Sequence, residues 1–91
     1  MKGIAFDALV DLFPGLGGWH YVPVPTEVRD AIGGHTTRGL IPVRAAIGTT
    51  AWDTSLQPMG DGSHFIALKA AVRRAEGITV GDRVTVTVSR R

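Results

Sequence analysis

Gly18-Trp-His-Tyr-Val-Pro-Val-Pro-Thr-Glu-Val-Arg-Asp-Ala-Ile-Gly33 lies over Gly62-Ser-His-Phe-Ile-Ala-Leu-Lys-Ala-Ala-Val-Arg-Arg-Ala-Glu-Gly77 at an offset of 44 residues. Six of the sixteen pairs are identical: Gly18/Gly62, His20/His64, Val28/Val72, Arg29/Arg73, Ala31/Ala75 and Gly33/Gly77. Tyr21/Phe65, Val22/Ile66 and Val24/Leu68 keep their chemistry. Unrelated segments of this length share roughly one identity at ordinary residue frequencies. The chain therefore reads as two copies of one unit folded together.

Working outward from the repeat, each copy gives the same order of elements. Trp19 to Val24 is dense in aromatic and β-branched residues and reads as a strand. Pro25 to Ile32 reads as a short helix, with proline in the first turn, where its missing N–H costs nothing, and Gly33-Gly34 as the stop. Upstream, Ile4, Phe6 and Ala8 alternate with Ala5, Asp7 and Leu9 in a strand that the turn-rich segment Leu12 to Gly18 ends. Downstream, Gly39 to Gly48 is a strand with Ile41, Val43, Ala45 and Ile47 on one face. Pro42 predicts an edge or a bulge for it, since proline donates nothing to a ladder.

The second copy follows a tight Gly48-Thr49 turn. Thr50 to Leu56 and Ser63 to Leu68 are strands, separated by a loop at Pro58 to Gly62. Lys69 to Glu76 is a helix ending at Gly77, and Val84 to Ser89 alternates as the last strand after a Gly81-Asp82 turn. Strand, strand, helix, strand is thus written twice. Neither half has enough apolar surface for a core of its own. Pairing them about a pseudo-twofold axis predicts a mainly β, six-stranded double-split β-barrel, its two short helices plugging the ends.

The 91 residues are expected to form a single domain over 1–91. With no cysteine, disulfides, thiolate catalysis and sulfur-based zinc sites are excluded. Met1 to Asp7 carries one lysine, and Asp7 and Asp11 interrupt the apolar run, so neither a signal peptide nor a membrane span is expected, and a cytoplasmic location is the default. Net charge is +2, with Lys69, Arg73, Arg74, Arg83, Arg90 and Arg91 set against Glu76 and Asp82 in the last third. That balance permits an anionic partner without requiring one.

Lys69 to Val88, together with Gly18-Trp19, Val24-Pro25, Val43-Arg-Ala-Ala-Ile-Gly48 and Thr54-Ser-Leu56, resembles the bacterial domain-of-unknown-function family nineteen-oh-five over nearly the whole chain. The resemblance implies a double-split β-barrel, the fold type of AbrB-like regulators and MazE-like antitoxins. In those proteins two short chains each supply half a barrel. It implies no catalytic residues, and the DNA binding of the AbrB-like proteins is an analogy of fold.

The candidate ligand or anion contacts are Trp19, Arg44, Lys69, Arg73 and Arg74. Lys69 and Arg73 are four apart and share a helix face suited to phosphate, or else form a solvated face partly tied to Glu76. Arg73 and its repeat mate Arg29 alternatively brace the helices against barrel-end carbonyls. Arg44 either meets a ligand or pairs with a carboxylate such as Asp53. Among Trp19, Tyr21, Trp52 and Phe65, mostly expected in core and end packing, Trp19 is the best aromatic contact because it follows two glycines.

His20, His35 and His64 lack the spacing of a metal set, and no metal or cofactor is expected. Gly15 to Gly18 precedes a strand rather than a helix, so it is no nucleotide loop. Ser55 lacks a nucleophile elbow. Asp82 is expected to bond nearby N–H groups of its turn. No acid–base pair, nucleophile or metal set can be assembled, so an enzyme is not expected. The leading expectation is a non-catalytic module binding a protein or small ligand. The alternative is a DNA-binding regulator using Lys69, Arg73, Arg74 and Arg83. The chain is expected to be a monomer or a weak homodimer.

Overall fold

The computed structural model describes residues 3–14, 18–33 and 39–91. Gly34, His35 and the stretch Gly15 to Gly17 lie outside them. The described residues are mainly β with two helices: β1 (Ile4–Leu9), β2 (Asp11–Leu12), β3 (His20–Val24), α1 (Thr26–Ile32), β4 (Ile41–Ile47), β5 (Thr50–Pro58), β6 (His64–Ala67), α2 (Ala70–Glu76) and β7 (Arg83–Arg90). The strands run in the order β1-β7-β4-β5-β6-β3-β2, every ladder antiparallel.

Among the described residues seven strands are seen where the sequence predicts six, and the extra one is an extension of the first. Asp11 and Leu12, read from sequence as the start of a turn, pair with Tyr21 and His20 as β2. Only Val10 separates β2 from β1. Val10 stays bonded toward the β7 side, its N–H donating to Asp82 O (2.9 Å) and its carbonyl accepting from Gly81 N (2.8 Å). One bent segment therefore pairs with β7 along its first part and with β3 along its last. Because β1 and β2 are the two ends of the strand order, this bend nearly closes the sheet into a barrel.

The ladders carry the internal symmetry. Val22 pairs with Ile66, its own repeat mate 44 residues on. Ala46 pairs with Thr87, which is 41 residues on. Asp7 faces Thr85 across β1 and β7, and Asp53 faces Arg44 across β5 and β4. The β2–β3 pairs Asp11/Tyr21 and Leu12/His20 match Gln57/Phe65 and Pro58/His64 between β5 and β6. A half-turn therefore carries each ladder onto another ladder or onto itself. Thr85 Oγ1 donates to Asp7 Oδ1 (2.6 Å) and Arg44 Nη1 to Asp53 Oδ1 (2.8 Å), so even this outer cross-strand bond recurs.

The core follows the period of two along each strand. Phe6, Ala8 and Val10, then Ile41, Val43, Ala45 and Ile47, then Val86 and Val88 point inward. Val28 and Ile32 of α1 and Val72 of α2 join the same cluster, packing the helices over it. The expectation for Pro42 is corrected: β4 lies centrally, between β7 and β5. The ladder to β7 begins only at Val43, and the Pro42 carbonyl accepts from Arg91 N (3.2 Å) just past the end of β7. In a strand the N–H and C=O of one residue point the same way, so the missing donor faces the end of a ladder rather than its middle. β5 also runs two residues beyond Leu56, so the following loop starts at Met59.

Candidate functional site

An open cleft of about 310 Å³ lies where the start of β3 meets the end of β6 and the first turn of α2. Gly18, Trp19, His20, Ala67, Leu68, Lys69 and Arg73 line it. Three of the five sequence candidates, Trp19, Lys69 and Arg73, are thus brought together, although Trp19 and Lys69 are 50 positions apart in the chain.

The backbone explains how. Phe13 N donates to Trp19 O (2.9 Å), prolonging the β2–β3 ladder by one pair. Gly18 enters that pair with a φ of 48°, which favours glycine over any side chain. Leu68 N then donates to His20 O (2.9 Å), holding the end of β6 beside Trp19 and His20. Lys69 is the N-cap of α2, and its carbonyl accepts from Arg73 N (3.1 Å) in the first helical turn. Trp19 is 53% exposed, so a large apolar face borders the cleft uncovered.

Arg73 is half-buried and its Nε donates to the Leu68 carbonyl (3.0 Å). The bracing role considered for it is present, and the tie to Glu76 is not: Glu76 accepts from Thr50 Oγ1 (2.6 Å) instead. With Nε anchored, the guanidinium plane is fixed and its two Nη groups carry no hydrogen bond among the described residues. That end-on pair is the fork that grips carboxylate or phosphate. Lys69, exposed, adds a second positive charge, and neither residue has an ion pair among the described residues. His20 sits half-buried on the same wall, its buried Nδ1 without a partner among the described residues.

Arg74 is exposed on α2 and Arg44 on β4, and neither lines the cleft. Arg44 pairs with Asp53 in register, each about 55% exposed, as ordinary sheet chemistry allows. Trp52 is in the core, and Tyr21 stacks on Phe13 with ring centroids 4.0 Å apart while Phe65 meets both edge-on. Phe13 lies in the segment whose proline and glycines predict a turn, and its place beside β2 gives it this partner. Asp82 behaves as expected, Oδ2 accepting from Thr79 N (2.9 Å).

The same place in the other half is built differently. The repeat puts Ser63 where Trp19 stands, Pro25 for Lys69, Arg29 for Arg73 and Asp30 for Arg74. Arg29 is held by Asp30 in a 2.9 Å ion pair and donates to Gly62 O (3.4 Å). His64, the mate of His20, is 8% exposed and its Nε2 lies 3.2 Å from Gly39 O. A carbonyl only accepts, so Nε2 holds the proton, and the buried Nδ1 has no partner among the described residues. His64 is thereby a packed structural group, four ladder positions along β3 from His20, and no group of three metal-ligating side chains occurs among the described residues.

A sequence profile described as Domain of unknown function (DUF1905) matches residues 6–88. The chain belongs to this family. The match covers every strand from β2 to β6, most of β1 and β7, both helices and every residue that lines the cleft. No curated protein matches the chain. No helix among the described residues is long and apolar enough to cross a membrane.

Proposed function

We propose that this DUF1905 domain is a non-catalytic binding module whose ligand is anionic and sits in the cleft bordered by Trp19, Lys69 and Arg73. The observation that carries the reading is the convergence on one concave surface of a half-exposed indole and two cations that have no ion-pair partner among the described residues. Concavity, a mostly apolar wall and a few convergent polar groups are the usual marks of a small-molecule site. The chemistry of the cleft is that of holding: a lysine and an arginine supply charge, and no nucleophile beside a base lines it among the described residues.

The test is an amide-shift titration of the intact protein against a panel of small anions, inorganic phosphate among them, at low ionic strength. Shifts centred on Trp19, Leu68, Lys69 and Arg73 are expected, with loss of response in Lys69→Ala. A panel that leaves all four unmoved at millimolar concentration sinks the reading.

A second reading, contact with nucleic acid, draws on Lys69, Arg73 and Arg74 standing on one short element. It predicts that log K falls with log salt at a slope of about −3 for three phosphate contacts. Binding of mixed-sequence DNA with that slope would favour it over a small ligand.

A further inference from the structure

We infer that the cleft takes one ligand consisting of a flat ring joined to a single oxyanion head, and that only one of the two symmetry-related positions in the barrel binds it. The inference rests on the binding reading above and adds the shape and number of what is bound. The head group is assigned to Lys69 and to the Nη pair of Arg73, whose orientation is set by the Nε bond to Leu68 O. Two fixed N–H donors side by side match two oxygens of one carboxylate or phosphate. The ring is assigned to Trp19, whose indole borders the cleft and is more than half exposed at 53%. An exposed indole beside a cationic fork offers a stacking face that a bare anion would leave unused. A volume of about 310 Å³ is at the small end of ligand sites and suits one ring system with its head group.

The count of one follows from the divergence of the two copies. Residues 25–33 carry Arg29 against Glu27 and Asp30, a net −1, whereas residues 69–77 carry Lys69, Arg73 and Arg74 against Glu76, a net +2. The first copy has its arginine in an ion pair and a serine where the indole would stand. The scaffold is shared, and the charge and the stacking face are not.

Calorimetry on the intact protein separates the parts, with sodium phosphate, adenosine 5′-monophosphate and 2-naphthoate as probes. Expected is a stoichiometry of one, with at least one of the two ring-bearing anions bound ~10-fold or more tightly than phosphate. Which of them gains tells a nucleotide from an aryl carboxylate. Trp19→Ala, at a surface position, should remove that advantage, bringing the ring-bearing probes down to the affinity of phosphate for the same variant. Lys69→Ala should weaken all three probes together. Phosphate bound as tightly as both ring-bearing probes, or a Trp19→Ala variant that keeps the full advantage, overturns the ring while the anion site stands. Two equivalent sites overturn the count. No heat and no amide shift with any probe overturns the inference and the binding reading together.

Discussion

At the scale of single residues, the cleft combines repeated positions, Gly18, His20 and Arg73, with two that diverge, Trp19 and Lys69, and it is the divergent pair that sets it apart from its counterpart. His20 and His64 are identical in the sequence, yet one lines an open cleft and the other is buried against Gly39. That difference was not legible from residue types, because it depends on what flanks each: Trp19 and Lys69 on one side, Ser63 and Pro25 on the other. Tyr21 was legible as a packing residue, but its titration comes only from the fold. Burial against its neighbours raises its pKa above the ordinary 10.0, and the Asp11 charge and the bond from Tyr21 Oη to Asp11 Oδ2 (3.4 Å) add to the rise. Since Tyr21 is the only tyrosine, its phenolate absorbance reads this group alone. Asp11→Asn should lower the titration midpoint but leave it above that of a free tyrosine, because desolvation persists. Asparagine still accepts the Leu12 N–H that Asp11 Oδ1 holds now, so β2 should survive the change. The linkage sign follows: this contribution to stability is whole below pH 10 and is lost as pH rises through the folded-state value, because the unfolded chain releases its proton first.

At the scale of elements, the period of two placed the inward faces of β1, β4 and β7 correctly, and glycines placed both helix ends. Two features escaped for physical reasons. β2 is two residues long and has no alternation to detect, and Pro42 is tolerated centrally because its missing donor faces the end of a neighbouring ladder. The turn between β4 and β5 was legible from Gly48, though not what presses on it. Gly48 has a φ of 58°, and a Cβ there would collide with the Glu76 carboxylate, which α2 sends across to accept from Thr50. Gly48→Ala should therefore destabilise by about 1–2 kcal/mol for the backbone conformation alone, with more from the displaced carboxylate. Urea unfolding of Gly48→Ala in the native and Glu76→Ala backgrounds divides the two: the cost should shrink in the second background without vanishing. Equal costs in both would mean that Glu76 does not press on the turn.

At the scale of the whole molecule, the repeat was visible at one offset only, and the barrel shows why. The first strands correspond at 46 residues, as in Asp7 and Asp53, the second strands and helices at 44, and the third strands at 41, as in Ala46 and Thr87. Shorter connections in the second copy slide the register, so a single offset finds the middle of the unit and loses its ends. Once the ladders are aligned, four of the six join one copy to the other: β1–β7, β3–β6, β4–β5 and β4–β7. Within a copy, the only ladder among the described residues is a short one, β2–β3 in the first and β5–β6 in the second, each of two pairs with one further backbone bond beyond. So short a ladder cannot hold a half-barrel against the entropy of its chain. Cutting between Gly48 and Thr49, at the turn that joins the copies, should give fragments 1–48 and 49–91 that are each unstructured by far-ultraviolet circular dichroism. Mixed at equal concentrations they should regain the β signal of the intact chain, with a Tm that climbs as total concentration rises, because association and folding are then one step. The amide shifts with anions at Leu68, Lys69 and Arg73 should return in the mixture, since the cleft takes its walls from both fragments. A cooperative melt from either fragment alone would mean that a copy carries its own core, which the crossing of β1, β3 and β4 onto β7, β6 and β5 argues against.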